Sequence, residues 1–218
     1  MDRIEHEKAV AARAAAQLVP DGARVGLGTG STVAHLLPAL AERSLDIRCV
    51  ATSPATERAA LALGLRVEAF DALDRLDIAI DGADQATPEL WLVKGGGGAH
   101  TREKIVAAAA ERFVVIVSSD KLVEALRPPV PLELLPFGLA ATLRRLGDVR
   151  VRDAPPSPDG GVIADLHEAV GDPRALAARL GATPGVVGHG LFGPELVSEV
   201  LVGRGEQAER LAGAGRGS

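Results

Sequence analysis

The chain of 218 residues has no tyrosine, and its aromatics come to four phenylalanines and one tryptophan. Its core must therefore be aliphatic, and platforms on which nucleic-acid bases could stack are nearly absent. A single cysteine, Cys49, excludes an intramolecular disulfide. It lies in an apolar run, which reads as a buried, inert thiol rather than a nucleophile. No apolar run approaches the ~20 residues needed to cross a bilayer. The charged start (Asp2, Arg3, Glu5, Glu7, Lys8) lacks the apolar centre of a signal peptide, so a cytoplasmic protein with no membrane partner is expected. An excess of positive charge is missing too. The net charge of −5 opposes nonspecific binding of polyanions, so no nucleic-acid partner is expected. A small phosphorylated ligand stays open, because it needs only local positive charge.

Apolar residues make up 47% and charged residues 24%, which supplies a core for one large domain or one domain plus a smaller one. Val10, Ala14 and Leu18 recur at helical spacing and predict a helix over 3–18. Strands are predicted at Arg24–Leu27, Ile47–Ala51, Leu65–Phe70, Asp77–Ile80, Trp91–Val93 and Phe113–Val117. Helices are predicted from Ser31 or Thr32, as N-cap, to Ala41, and over Pro54–Leu63 and Thr101–Glu111. Alternating strands and helices, with all-apolar strands, imply an α/β fold with a mostly parallel sheet covered on both faces.

After Lys121 the texture changes. Arg127-Pro128-Pro129-Val130-Pro131 reads as a rigid connector, Leu134–Leu146 and Pro173–Leu180 as helices, and Val149–Arg152, Gly161–Leu166, Val186–Phe192 and Glu199–Val202 as strands. This mix predicts a smaller α+β subdomain over 128–203, beside a main domain formed by 1–127 with 204–218. Gly213–Ser218 reads as a frayed tail.

Chemistry concentrates in residues 81–104: Asp81-Gly82-Ala83-Asp84, Lys94-Gly95-Gly96-Gly97-Gly98 and His100-Thr101-Arg102-Glu103-Lys104. Asp81 and Asp84 follow a strand, at the carboxyl edge where open α/β sheets bind ligands. Such a pair can bond sugar hydroxyls, share a proton, bind a metal, or be a solvated turn. Lys94 with its glycines permits close backbone approach to a ligand. Glu103 sits in a first helical turn, where it is either a catalytic carboxylate or a partner of the helix dipole. His100 is a neighbouring acid–base group. Gly26-Leu27-Gly28-Thr29-Gly30-Ser31-Thr32 joins a strand to a helix and offers N–H groups and hydroxyls to an anion. It fits neither the dinucleotide fingerprint nor the P-loop, and the plainer alternative is a tight turn with a capping serine. Lys121 projects from a strand end toward the same edge, or caps a loop.

Taken together, these motifs resemble ribose-5-phosphate isomerase of the A type. The likeness is carried by Gly28-Thr29-Gly30-Ser31-Thr32, Asp81-Gly82-Ala83-Asp84, Lys94-Gly95-Gly96-Gly97, Thr101-Arg102-Glu103-Lys104 and Lys121, and further on by Asp165-Leu166-His167, Pro184-Gly185-Val186-Val187 and Gly190-Leu191-Phe192. It runs from about residue 8 to residue 203. The resemblance implies a Rossmann-like main domain, a homodimer or homotetramer, no metal and no cofactor. It implies interconversion of D-ribose 5-phosphate and D-ribulose 5-phosphate through an enediol(ate), as in the non-oxidative pentose phosphate pathway. Glu103 would be the base moving the proton between C1 and C2. Asp81, Asp84 and Lys94 would bond the sugar and assist ring opening. Thr29 to Thr32, Gly82, Ala83, Gly95 to Gly97 and Lys121 would help hold substrate and its phosphate. A non-catalytic sugar-phosphate sensor or a related phosphosugar enzyme on the same fold is the alternative. The chain departs from the family pattern at Gln85, Gly98, His100 and Gly161, none of them a proposed catalytic group.

Overall fold

The structure, a computed structural model, describes residues 2–73 and 75–212. The expected tail at 213–218 lies outside the described residues. In chain order the elements are α1 (Arg3–Ala16), β1 (Arg24–Leu27), α2 (Ser31–Ala41), β2 (Arg48–Ala51), α3 (Pro54–Ala62), β3 (Arg66–Val67), β4 (Leu76–Gly82), β5 (Gln85–Ala86), β6 (Leu92–Val93), α4 (His100–Ala109) and β7 (Ala110–Ser118). There follow β8 (Val130–Leu134), α5 (Leu139–Leu146), β9 (Val149–Val151), β10 (Val162–Leu166), α6 (Pro173–Gly181), β11 (Val186–His189), β12 (Leu191–Phe192), β13 (Glu199–Arg204) and β14 (Gln207–Ala212).

The main sheet has the order β14-β13-β7-β4-β1-β2-β3 and is parallel except for the β13–β14 pair. Alternate residues serve its two faces. Ile78 and Ile80 of β4, with Val114 and Ile116 of β7, pack with Val25, Leu27 and the apolar sides of α1 and α2. Ala79, Phe113, Val115 and Val117 pack on the opposite face with Val106 and Ala107 of α4. This two-sided burial is why the strands read as continuous apolar runs.

The chain leaves β1 for β2 and β3 on one side and returns to β4 on the other. The strand order therefore reverses between β1 and β4. The carboxyl ends of these strands flank the crevice where such sheets bind ligands.

The later part departs from the sequence expectations in three places. The supposed connector and start of a helix at 127–138 instead contain β8, which lies between β11 and β10 in a four-stranded antiparallel sheet, β11-β8-β10-β9. All five β8 residues are buried, so no alternation marks it as a strand. Pro131 lacks an N–H but accepts the Gly190 N–H at 2.7 Å through its carbonyl. The following helix, α5, begins only after Gly138, whose φ of +70° turns the chain. The predicted strand 186–192 divides at Gly190, with β11 in the small sheet and β12 in a separate sheet β12-β6-β5. A Cβ on Gly190 would lie 2.1 Å from the Lys94 carbonyl oxygen, so only glycine passes there. The strand expected at 199–202 pairs in parallel with β7 and so belongs to the main sheet rather than the smaller unit. Nearer the start, the strand expected over 65–70 shrinks to Arg66–Val67 at the sheet edge.

Candidate active site

The turn after β1 and the end of β4 meet through Asp81. Asp81 closes β4 rather than following it, and only 3% of it is exposed. Its Oδ1 accepts the Thr29 N–H at 3.0 Å and the Gly82 N–H at 2.7 Å. The carboxylate occupies the space a side chain at Gly28 would need, since a Cβ there would stand 1.9 Å from Asp81 Cγ. The sequence expectation of a serine or threonine N-cap for α2 is corrected at this turn. Gly30 is the N-cap, at φ +125°, a conformation that favours glycine. Ser31 and Thr32 are left inside the first turn, which holds no acidic residue. Its unpaired N–H groups and hydroxyls therefore remain available to an anion.

Lys94 comes from the end of β6 and is 2% exposed. Its Nζ lies 2.8 Å from Asp81 Oδ2 and 3.1 Å from Glu103 Oε2, and it donates to the Gly82 carbonyl. Burial alone would lower the lysine pKa, but the two carboxylates reverse that and raise it, so Lys94 stays an ammonium. Asp81 is raised by burial, against the pull of Lys94. Glu103, on the first turn of α4 and 4% exposed, is raised to about 7 by burial first and then by the Asp81 charge. A carboxylate poised near neutrality is the condition for a general base.

A cavity of about 260 Å³ opens beside this triad. Thr29, Gly30, Ser31, Thr32, Gly82, Ala83, Asp84, Lys94, Gly95, Gly96, Gly97, Glu103 and Lys121 line it, all expected from the sequence. Asp84 Oδ2 accepts the Gly96 N–H at 2.8 Å and so fixes the glycine run beside the cavity. Asp81 does not line the cavity. It lies against Lys94 and Thr29 and orients both.

Lys8, from α1, also lines the cavity, and sequence reasoning missed it. The signal was a pair of charged residues, Glu7-Lys8, directly before the apolar run that begins at Ala9. Glu7 is buried, and its carboxylate accepts from the Ser119 N–H at 2.9 Å and the Ser119 hydroxyl at 2.6 Å. These bonds tie α1 to the turn bearing Lys121, which brings the two lysines to one end of the cavity. His100 is not part of the lining. It is wholly buried, and its Nδ1 sits where a Cβ on Gly95 would stand, 2.7 Å away. Burial and then the Lys104 charge lower its pKa to about 4, so it is a neutral filler beneath the loop. Cys49 is buried as expected, and burial pushes its thiol up to about 12.

Comparison with known proteins fits this geometry. The sequence model described as ribose 5-phosphate isomerase A (phosphoriboisomerase A) matches residues 48–207. The chain belongs to the ribose 5-phosphate isomerase A family. A ribose-5-phosphate isomerase A from Nitrobacter hamburgensis is 46% identical over 205 residues, covering 85% of this chain and 88% of the relative. The crystal structure of the ribose 5 phosphate isomerase A from Neisseria gonorrhoeae superposes with a TM-score of 0.92 at 30% identity, over 97% of this chain and 98% of that one. A D-ribose-5-phosphate isomerase solved in complex with phospho-erythronic acid gives 0.91 at 33% identity, over 97% of this chain and all (100%) of that one. The chain is thus an isomerase with the α/β fold of this family. Among the described residues no helix is long and apolar enough to cross a membrane.

Proposed function

We propose that this site interconverts D-ribose 5-phosphate and D-ribulose 5-phosphate, with Glu103 as the base that shuttles the carbon-bound proton. The observation that carries this reading is the buried Lys94 ammonium bridging Asp81 and Glu103, with Glu103 raised to about 7. In the forward direction Glu103 removes the proton from C2 of the open-chain aldose and returns it to C1. The oxygen on C1 gains a proton as the oxygen on C2 loses one, so the enediol(ate) closes to the ketose with no net change in protons. Negative charge develops on oxygen in between. The Lys94 ammonium and N–H groups of the glycine run are the donors at hand to stabilise it. Asp84 at the cavity wall bonds hydroxyls and assists ring opening.

The phosphate binds at the other end, among Lys8, Lys121, Ser31, Thr32 and the first turn of α2. A remote phosphate handle supplies binding energy that holds the open-chain sugar against the base. The relative's ligand, phospho-erythronic acid, fits the same logic, because its carboxylate presents two oxygens as an enediolate does. A cytoplasmic assembly of two or four copies belongs to the same reading. The exposed Phe137 and Leu135 of the small unit favour association, and sedimentation counts the copies. The reaction is tested by incubating the full-length protein with ribose 5-phosphate in EDTA and following ribulose 5-phosphate. Absence of turnover by folded protein refutes the reading.

A further inference from the structure

Arg152 follows β9 in the small sheet, outside the cavity, and no step above uses it. Its guanidinium is pinned to Asp165 of β10 by two bonds, Nε to Oδ2 at 2.7 Å and Nη2 to Oδ1 at 2.6 Å. The remaining nitrogen, Nη1, reaches the glycine loop that follows β6 and donates to the Gly95 carbonyl at 2.9 Å and the Gly96 carbonyl at 3.1 Å. One planar fork thus grips a carboxylate on one side and two successive carbonyls on the other, which a lysine cannot do.

A trans peptide points its carbonyl and its N–H in opposite directions. The unit joining Gly95 to Gly96 is fixed at both ends, its oxygen on Arg152 and its N–H on Asp84 at 2.8 Å. The unit joining Gly96 to Gly97 also has its oxygen on Arg152. The Gly97 N–H is therefore turned away from the guanidinium, toward the side of the loop that Asp84 occupies, and Gly97 lines the cavity. Four consecutive glycines have large conformational freedom, and an N–H that stabilises developing charge must already be aimed before the reaction.

We propose that Arg152, oriented by Asp165, is a positioning residue that aims the Gly97 N–H at the reacting oxygens of the sugar phosphate. This rests on the isomerase reading of the site, and it gives the Asp165 motif a role. Arg152 touches neither substrate nor base. Its effect is confined to the end of the cavity where charge develops and leaves the phosphate end unaltered.

The test compares full-length wild type, R152M, R152K and D165N. In R152M kcat should fall by about 10²-fold, the scale of losing one oxyanion donor, with KM for ribose 5-phosphate within about threefold. Phospho-erythronic acid should bind at least about tenfold more weakly, while inhibition by inorganic phosphate is unchanged. R152K, which keeps a donor for the carbonyls, should recover part of kcat, and D165N should lose about tenfold. A purely structural role predicts a lower Tm with kcat per folded molecule unchanged, and that outcome overturns the proposal, as does folded R152M with kcat within about threefold of wild type. If R152M fails to fold, R152K and D165N decide by the same kcat-against-KM split. If wild type itself does not turn over, the isomerase reading fails separately. The positioning role then stands or falls on whether R152M weakens the phospho-acid but not phosphate.

Discussion

The Lys94 ammonium lies 3.1 Å from the Glu103 carboxylate, and the two side chains are 3% and 4% exposed. Ion pairs this dry are seldom retained for stability, because desolvation offsets most of their attraction. Here a second carboxylate, Asp81, shares the same ammonium at 2.8 Å. One cation therefore faces two anions, and the group adjoining the cavity, Glu103, is the one left near neutrality. The division gives a lysine that stays charged and a carboxylate that can exchange a proton.

Glu103→Gln tests the base directly. The amide is nearly isosteric and still offers an oxygen to Lys94, so folding and stabilisation by ligand should persist. Turnover should drop by at least about 10²-fold, the usual worth of a general base. Steady-state kinetics beside thermal denaturation separates the two, and near-normal kcat would remove Glu103 from the mechanism.

The pH dependence follows from the same group. Glu103 must be ionised to accept the proton, so kcat/KM, which reports the free enzyme, should rise through about pH 7 on its acid side. Burial is the first cause of its raised pKa and the Asp81 charge the second. Asp81→Asn should therefore move this limb to lower pH in the residual activity. The effect on stability has a definite sign. The folded state binds the Glu103 proton more tightly than the unfolded chain between the ordinary carboxylate value of 4.5 and about 7, so the contribution is complete below that window and is lost as pH rises through it. Urea unfolding at pH 5 and pH 8 should show E103Q losing less stability across the interval than wild type.

How much of this was legible in the sequence depended on whether a signal was local. Asp81, Asp84, Lys94 and Glu103 stood out because charge beside glycine within a few residues has few structural explanations. The main sheet was legible because strands buried on two faces leave apolar runs separated by helical spacing. Lys8 was not, since a lysine in an amphipathic helix looks like any solvated charge until Glu7 fixes Ser119 across the fold. β8 was missed because Pro131, with Pro128 and Pro129 just before the strand, resembles a connector and its full burial removes alternation. Arg152 acts across two sheets through backbone carbonyls, and no spacing along the chain records such a contact. Asp81 was legible as a residue at the ligand edge of the sheet, but its bonds to Thr29 and Lys94 were not, because sequence gives a residue's edge of the sheet and not the direction of its carboxylate.

Gly28→Ala probes the packing that aims Asp81. An added Cβ would meet Asp81 Cγ at 1.9 Å and Cβ at 2.5 Å, within a buried pair of strands that has little room to yield. Overpacking of this kind costs about 1–3 kcal/mol. The carboxylate can escape only by giving up the Thr29 N–H and Lys94, so activity should fall further than stability does. Denaturant unfolding should show a loss on that scale, and kcat should drop by more than tenfold in protein that remains folded. A variant with both values unchanged would mean that Asp81 does not hold Lys94 in place.

Lys8→Ala and Lys121→Ala probe the phosphate end. Lys121 is 37% exposed and already 3.4 Å from Asp120, so its attraction for phosphate is partly screened. An exposed pair of this kind is worth up to about 1 kcal/mol, and K121A should raise KM roughly two- to fivefold. Lys8 is also paired, with Glu5 at 2.6 Å, but it is only 12% exposed and so less screened by solvent, and its loss should raise KM more. Both losses should shrink as salt is added, because screening weakens surface charges first. Competitive inhibition by inorganic phosphate should weaken in parallel with KM, while kcat at saturating sugar phosphate stays within a fewfold of wild type. The opposite pattern, a fall in kcat with KM and phosphate inhibition intact, would place the two lysines at the reacting carbons and reverse the orientation of the substrate in the cavity.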